Sequence, residues 1–167
     1  MKNKIRLLLA GSALAALALA GCASTSSPAA IPGASAPTPV APAPSGKDVA
    51  TAITTLGTVV VDSKGMTAYF FDKDTANSGK SACTGACAAM WQAIRSSSTT
   101  PSAQGITGKI GTIPAVGGGN QITIGGRPIY TFANDKAAGD VNGQGVGKVW
   151  YVVDASGKEI KSGRGSY

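Results

Sequence analysis

Two ten-residue stretches of this 167-residue chain match each other: GMTAYFFDKD at residues 65–74 and GRPIYTFAND at residues 126–135. Both follow the pattern Gly-x-x-x-Tyr-x-Phe-x-x-Asp. Because alternate residues of a β-strand lie on one face, each copy presents an aromatic pair and then an acidic turn. Such a repeat indicates two half-domains that bury their apolar faces against each other. We expect the copies to superpose, with both tyrosines buried and with equivalent motif residues: Tyr69 and Tyr130, Phe71 and Phe132, Asp74 and Asp135.

Short β-prone runs separated by Gly and Asp surround the two copies and predict three hairpins. The paired runs are 58–61 with 66–71, 122–124 with 127–132, and 149–153 with 158–160. Gly125-Gly126 in the second pair is a strong signal for a two-residue hairpin loop. Residues 110–113 predict a weak further strand, and Cys87–Arg95 favours a helix. The fold class is therefore mainly β: a small antiparallel β-domain built from two related repeats, with one short helix.

The amino terminus has the features of an export signal. Basic residues at positions 2, 4 and 6 precede the apolar run Leu7–Leu19, which small residues connect to Cys22. That run is shorter than the roughly 20 residues of a membrane-spanning helix, so the pattern is typical of a signal peptide. The stretch Leu19–Cys22 resembles a bacterial lipobox, which implies cleavage before Cys22 and lipidation of its thiol. An ordinary signal peptide followed by a chance cysteine is the alternative.

The chain divides into three predicted parts: a lipoprotein signal peptide at 1–21, a tether at 22–48 and the repeat β-domain at 49–167. Six of the nine prolines lie between residues 28 and 44, so the tether favours extended, polyproline-like conformations. Lipid on Cys22 would hold the protein on a membrane of the bacterial cell envelope. Ala23 at the next position resembles the sorting pattern for the outer membrane. We expect the anchored protein there, on its periplasmic or surface face.

Charge and composition exclude several classes of function. Removing the signal peptide leaves 12 basic residues against 8 acidic ones, a formal charge of +4 that is scattered along the chain. A nucleic-acid-binding protein would carry a clustered basic stripe, so we expect no nucleic-acid partner. The chain has no histidine, which removes Ser/His/Asp and Cys/His catalytic sites and the usual nitrogen ligands of metals. We expect no cofactor.

Cys83 and Cys87 remain as a pair once Cys22 carries lipid. An even pair in an exported chain favours a disulfide. Four-residue spacing on a helical turn places the Cα atoms about 6 Å apart, within reach of a disulfide. A two-thiolate metal site is the competing interpretation, and it would need two further ligands. The spacing is not that of the redox-active Cys-x-x-Cys motif.

The tyrosine repeats and the residues around them resemble the bacterial "secreted repeat of unknown function" family, whose members are predicted lipoproteins with a Tyr-x-aromatic-x-x-Asp motif. The stretches 83–91 and 139–150, each ending in a tryptophan, also match the pattern of this family. The resemblance covers about residues 50–155. It implies a secreted or envelope location and brings no established activity.

Acidic and aromatic side chains are the remaining candidates for a site. The pattern Asp140-x-Asn142-x-Gln144-Gly145 resembles the start of a calcium loop, but the twelfth position, which should carry a carboxylate, is Tyr151. Asp and Asn also form turns without any ligand, so metal ligands stay unassigned. The motif aromatics and the two tryptophans favour a core over a ligand-stacking surface. Asp72 and Asp74 are weak candidates for a catalytic pair, because neighbours on one turn do not face each other across a bond.

These observations favour a non-enzymatic module that binds or scaffolds a partner in the cell envelope, either an envelope polymer or another protein. The alternative is a divalent-ion-binding or redox-linked protein that uses the acidic turns or the cysteine pair. An enzyme that uses Asp74 or Asp135 is the weakest of the three hypotheses.

Overall fold

A computed structural model describes residues 46–161 of the chain. The signal peptide, Cys22 and most of the tether lie outside these residues, so their assignments stay predictions. The elements in the described part are β1 (Val49–Thr54), β2 (Gly57–Asp62), β3 (Tyr69–Phe71), α1 (Ala86–Met90), β4 (Trp91–Ala93), β5 (Arg95–Ser96), β6 (Ala103–Gln104), β7 (Ile110–Pro114), β8 (Asn120–Ile124), β9 (Arg127–Pro128), β10 (Tyr130–Phe132), a 3₁₀ turn at Val146–Lys148 and β11 (Trp150–Val152).

Three small sheets make up the domain. The central sheet has the strand order β11-β3-β10-β4. A second sheet has the order β2-β1-β6, and a third has the order β5-β8-β7 with β9 also paired to β8. All of these pairs are antiparallel except β1 with β6. The predicted fold class is therefore confirmed.

The two repeats meet at the middle of the central sheet, where Tyr69 of β3 lies opposite Tyr130 of β10. The outer strands are exchanged between the repeats. β4, which follows the first motif, pairs with β10 of the second repeat. β11, which follows the second motif, pairs with β3 of the first. Neither repeat can therefore form its part of this sheet without the other.

Matching backbone hydrogen bonds show that the two halves are equivalent. In one half, Val60 N–H donates to Val153 O, Val153 N–H to Ala68 O, and Ala68 N–H to Val60 O. In the other half the same cycle joins residues 122, 94 and 129. Ala68 and Ile129 hold the same place in the two cycles. The residues that follow them, Tyr69 and Tyr130, are both fully buried. The prediction that the two tyrosines are equivalent and buried is confirmed.

The second and third predicted hairpins are present. Thr123 lies opposite Pro128 and Ile124 opposite Arg127 around the two-glycine loop, whose residues have φ of 59° and 78°. Glycine adopts these positive values without a steric penalty. In the third hairpin, Val153 bridges Glu159. The predicted weak strand at 110–113 is β7.

The first predicted hairpin is only partly correct. The chain does turn after Asp62, whose Oδ1 accepts the N–H groups of Lys64 and Met66. Beyond a single bridge between Val61 and Thr67, however, the next strand leaves β2 and joins the central sheet. The main partner of β2 is β1, a strand that the sequence analysis did not predict.

The predicted helix over Cys87–Arg95 is too long at its carboxyl end. The α-helix spans Ala86–Met90, and Trp91 is extended, with φ −122° and ψ 94°. A five-residue helix gains little from propagation, whereas Trp91 gains a strand partner in β10 and a buried position. Tertiary pairing therefore overrides the local helical preference.

The buried side chains form two clusters. One cluster is aromatic and lies along the central sheet, with Tyr69, Phe71, Trp91, Tyr130, Phe132 and Trp150 among its members. The other is mainly aliphatic and contains Val49, Val60, Phe70, Ile94, Ile122, Ile124 and Ile129. Within residues 46–161, no helix is long and apolar enough to cross a membrane.

Candidate functional site

The motif phenylalanines and the two tryptophans form one continuous stack across the repeat boundary. Trp91 and Trp150 are parallel within 2°, with ring centroids 3.7 Å apart. Phe132 stacks on the outer face of Trp91 and Phe71 on the outer face of Trp150, each at 4.2 Å. Because both faces of each tryptophan are covered, these rings belong to the core, as the sequence favoured, and offer no open ring face for a ligand to stack on.

The motif tyrosines and aspartates bond across the two repeats. Tyr69 Oη donates to Asp135 Oδ2 at 2.7 Å, and Tyr130 Oη donates to Asp74 Oδ2 at 2.6 Å. Burial raises the pKa of both tyrosines, and the neighbouring carboxylates add to the shift. Burial also raises the pKa of both aspartates, although the hydrogen bonds that they accept oppose it.

The second oxygen of each motif aspartate holds the loop that follows it. Asp74 Oδ1 accepts the N–H of Ala82 at 2.6 Å, and Asp135 Oδ1 accepts the N–H of Asn142 at 2.9 Å. Each carboxylate thus joins a tyrosine of the other repeat to a loop of its own repeat. Both oxygens of each motif aspartate thus accept structural hydrogen bonds that hold the two repeats together.

The other acidic residues of the turns are dispersed. Asp140, the first residue of the pattern that resembles a calcium loop, accepts the N–H groups of Lys136 and Ala137 at its Oδ2. Its side chain therefore stabilises the local turn. Asp72 lies in a separate ion cluster with Arg127. Nowhere in the described part of the chain do three Cys, Asp or Glu side chains converge as they would around a metal ion.

The ion cluster joins distant parts of the sequence and was not predicted. Arg127 contacts Glu159 at 2.6 Å and Asp72 at 3.6 Å. Lys161 contacts the same two carboxylates at 2.9 and 3.5 Å. Burial opposes ionisation of Glu159, but hydrogen bonds from its partners outweigh this and lower its pKa to about 2. No local sequence pattern could have found this cluster, because its members meet only in the fold.

Cys83 and Cys87 form the predicted disulfide, with their Cα atoms 5.2 Å apart. The bond directly follows Ala82, the residue whose N–H binds Asp74. It ties that part of the loop to the start of α1, which spans Ala86–Met90. The disulfide therefore shapes the loop beside Tyr130.

A groove of about 450 Å³ runs along the outer edge of β4, between the disulfide loop and the loop that follows β7. We call it the β4 groove. It is lined by Ser81, Cys83, Ala88, Trp91, Gln92, Ala93, Arg95, Val116, Gln121 and Tyr130. The groove combines an apolar wall with several polar groups, as ligand-binding sites do.

The polar groups of the β4 groove lie around Tyr130. Ser81 Oγ is 2.7 Å from Tyr130 Oη. Gln121 is buried and donates its Nε2 to the carbonyl of Ile129 at 3.1 Å. Its Oε1 is buried without a hydrogen-bond partner among residues 46–161. A buried acceptor without a donor is costly.

Sequence patterns identify Tyr130 and Cys83 but do not indicate that they lie at a groove. Gln121 was missed, although it precedes the buried residues Ile122, Thr123 and Ile124 in a strand that is buried on both faces. A polar residue in such a run was the available signal.

A second cleft, of about 490 Å³, borders β7 and the two-glycine loop. Lys109 is its one charged lining residue.

A family model described as "secreted repeat of unknown function" matches residues 50–95 and 111–154, together more than half of the chain. The chain belongs to this family. The two matched segments contain the two copies of the tyrosine motif, so the resemblance seen in the sequence is confirmed. No curated protein and no solved structure matches the chain. Membership in a secreted family indicates an extracellular or envelope location and assigns no activity.

Proposed function

We propose that this member of the secreted repeat family is a lipid-anchored, non-enzymatic module that binds a partner in the bacterial cell envelope. The observation that carries the proposal is the β4 groove, which apolar and polar side chains line along one edge of the central sheet. The strongest catalytic candidates, Asp74 and Asp135, each use both carboxylate oxygens to hold the frame together.

The amino terminus supports the lipid anchor. The apolar run Leu7–Leu19 leads to the lipobox-like stretch that ends at Cys22. Lipid on this thiol, together with the proline-rich tether, would present the repeat domain at a distance from the membrane surface. With Ala23 as the following residue, the membrane we propose is the outer one.

The anchor is tested by fractionating cells that produce the full chain, the Cys22→Ala variant and a Ser24→Ala control. We expect the Cys22→Ala protein to be soluble or to keep its signal peptide, and the control to stay in the membrane fraction. A Cys22→Ala protein of normal size in the membrane fraction would contradict lipid anchoring.

The binding role is tested by site-specific photo-crosslinking in intact cells. A photo-reactive amino acid replaces Ala88 in the β4 groove or, as a control, the exposed Lys158 on the turn after β11, at the opposite edge of the central sheet. We expect a discrete adduct from position 88 alone. Equal labelling, or no adduct at position 88, would count against a binding module.

The rival hypothesis of an ion-binding or redox-linked protein is tested by measuring the melting temperature in calcium, copper, EDTA or a reductant. A rise in melting temperature with one ion, abolished by Asp74→Asn, would favour this rival.

A further inference from the structure

The central sheet has two outer edges, β11 and β4, that occupy equivalent positions in the two repeats. In an antiparallel pair, only alternate residues direct their N–H and C=O groups toward the partner strand. The bonds from Asp72 N–H to Val149 O and from Val153 N–H to Ala68 O fix this alternation for β11. The backbone groups of Trp150 and Val152 therefore face away from β3.

The chain itself occupies the outer edge of β11. Gly145 N–H donates to Trp150 O at 2.7 Å, and Val152 N–H donates to the side-chain Oε1 of Gln144 at 2.8 Å. Ile160 N–H donates to Val152 O at 2.9 Å. The extended segment 158–160 and the amide of Gln144 thus act as an additional strand on this edge.

The equivalent edge of β4 has no such cover. The bonds from Ala133 N–H to Met90 O and from Ile94 N–H to Ile129 O show that Trp91 and Ala93 face away from β10. Trp91 N–H is bonded to the carbonyl of Cys87. Within the described residues, the N–H and C=O of Ala93 have no partner on this side, and the carbonyl of Trp91 meets only the disulfide sulfur of Cys83, at 4.0 Å.

The path of the chain explains the difference between the two edges. After β11, the turn at Asp154–Lys158 reverses the chain, and residues 158–160 return along the strand. After β4, Arg95 and Ser96 pair with β8, and the chain continues to β6 beside β1. Nothing in residues 46–161 returns along β4, and its free edge lies in the β4 groove.

We propose that the β4 groove binds an extended peptide segment of a partner protein, which adds to the edge of β4 as a new strand. This inference rests on the binding function proposed above and names its site and partner. Strand addition satisfies unpaired backbone groups at a sheet edge, and the flanking pockets select side chains. Here the peptide accepts from Ala93 N–H and donates to Ala93 C=O.

The segment on β11 indicates which side chains the peptide carries. Ile160 packs against the aromatic cluster, so the corresponding peptide residue is apolar and lies against the wall formed by Trp91 and the disulfide. A sugar chain fits less well, because Trp150 and Phe132 cover both faces of Trp91 and leave no ring for stacking.

The test uses the full chain in detergent micelles and a library of phage-displayed octapeptides. Peptides selected on the wild-type protein are added to ¹⁵N-labelled protein, and the exchange of the Ala93 amide proton is followed by NMR. We expect exchange at Ala93 to slow at least tenfold. Ala88→Trp, which fills the groove from α1, should weaken binding at least tenfold, and Ala89→Trp, on the exposed side of α1, should not.

A second blocking variant, Val116→Arg, keeps the test valid if Ala88→Trp perturbs α1, because Val116 is 44% exposed at the rim of the groove. Failure to select any peptide, or binding that leaves Ala93 unprotected, would overturn the peptide assignment. Protection of Ala93 by N-acetylglucosamine oligomers alone would replace the peptide with a glycan. A groove-specific crosslink without peptide protection would reject this inference and leave the binding function standing.

Discussion

The loops that follow the two motif aspartates connect equivalent strands, yet they are fixed in different ways. The first loop is held by the disulfide and by Ser81, whose hydroxyl meets that of Tyr130. The second loop has no disulfide, and Gly143 N–H donates to the hydroxyl of Tyr69 at 3.2 Å. Its Gln144 side chain then bonds to the edge of β11.

The second loop also packs more closely on the frame. A Cβ atom on Gly143 would lie 2.8 Å from the ring of Tyr69 and 2.9 Å from Trp91. Only glycine fits at this distance, so the second loop closes over the central sheet. The first loop leaves the β4 groove open. The tyrosine motif therefore specifies the central sheet and its core, while the loops determine which edge of the sheet stays accessible.

The largest predicted effect is the loss of stability when either motif phenylalanine is truncated, and it should be the same in the two repeats. Phe71→Ala and Phe132→Ala each remove an outer ring of the four-ring stack and leave a cavity. We expect each to lower the free energy of unfolding by about 3–5 kcal/mol. Chemical denaturation of both variants measures it, and the loss is severe for a domain whose total stability is about 5–15 kcal/mol.

Unequal losses would break the equivalence of the two halves. Ile53→Ala is the matched control, because Ile53 is 62% exposed and lies outside both buried clusters. We expect its effect to be within about 0.5 kcal/mol. If Phe71→Ala lowered the free energy of unfolding no more than Ile53→Ala does, the aromatic stack would not be part of the stabilising core.

Sequence patterns predicted the frame because its signals are local. The two-glycine loop, the tyrosine motif and the cysteine pair each lie within a few residues and determine a turn, a strand or a bond. Trp91 shows where this reasoning fails: its neighbours favour a helix, but its strand partner belongs to the other repeat. The groove could not be predicted, since Ser81, Ala93 and Gln121 meet only after the strands are exchanged.

The next prediction separates the two ways of fixing a loop. Gln144→Ala removes the acceptor of the buried Val152 N–H and should cost about 1–3 kcal/mol. Replacing both Cys83 and Cys87 by Ala opens a small covalent loop and should cost about 2 kcal/mol. Thermal melting with and without a reductant measures both losses.

Only the disulfide should respond to the reductant. We expect the reductant to destabilise the wild-type protein and Gln144→Ala to the same extent, and to leave the double cysteine variant unchanged. Gln104→Ala is the matched control for the amide, because that glutamine is exposed. If the reductant left the stability of the wild-type protein unchanged, the disulfide would not be the bond that holds the first loop.

The smallest predicted effect concerns the two buried tyrosines at alkaline pH. Burial, together with Asp135 beside Tyr69 and Asp74 beside Tyr130, raises the pKa of both phenols. A tyrosine in the unfolded chain ionises near pH 10. The stabilisation from a raised pKa is complete below that pH and is lost as the pH rises toward the folded value. Stability should therefore fall above pH 10 by about 1.4 kcal/mol per pH unit for each tyrosine that keeps its proton in the folded state.

Tyr69→Phe and Tyr130→Phe sharpen this prediction, because each removes one of the two contributions. Denaturation at pH 8 and at pH 11 should show a shallower alkaline loss of stability in either variant than in the wild-type protein. Phenolate absorbance from the remaining buried tyrosine should appear only as the domain unfolds. Because the slope is the same for each tyrosine that keeps its proton in the folded state, the two variants should flatten the profile to the same extent. Ionisation of either phenol near pH 10 in the folded protein would show that its bond to the aspartate of the other repeat does not persist in solution.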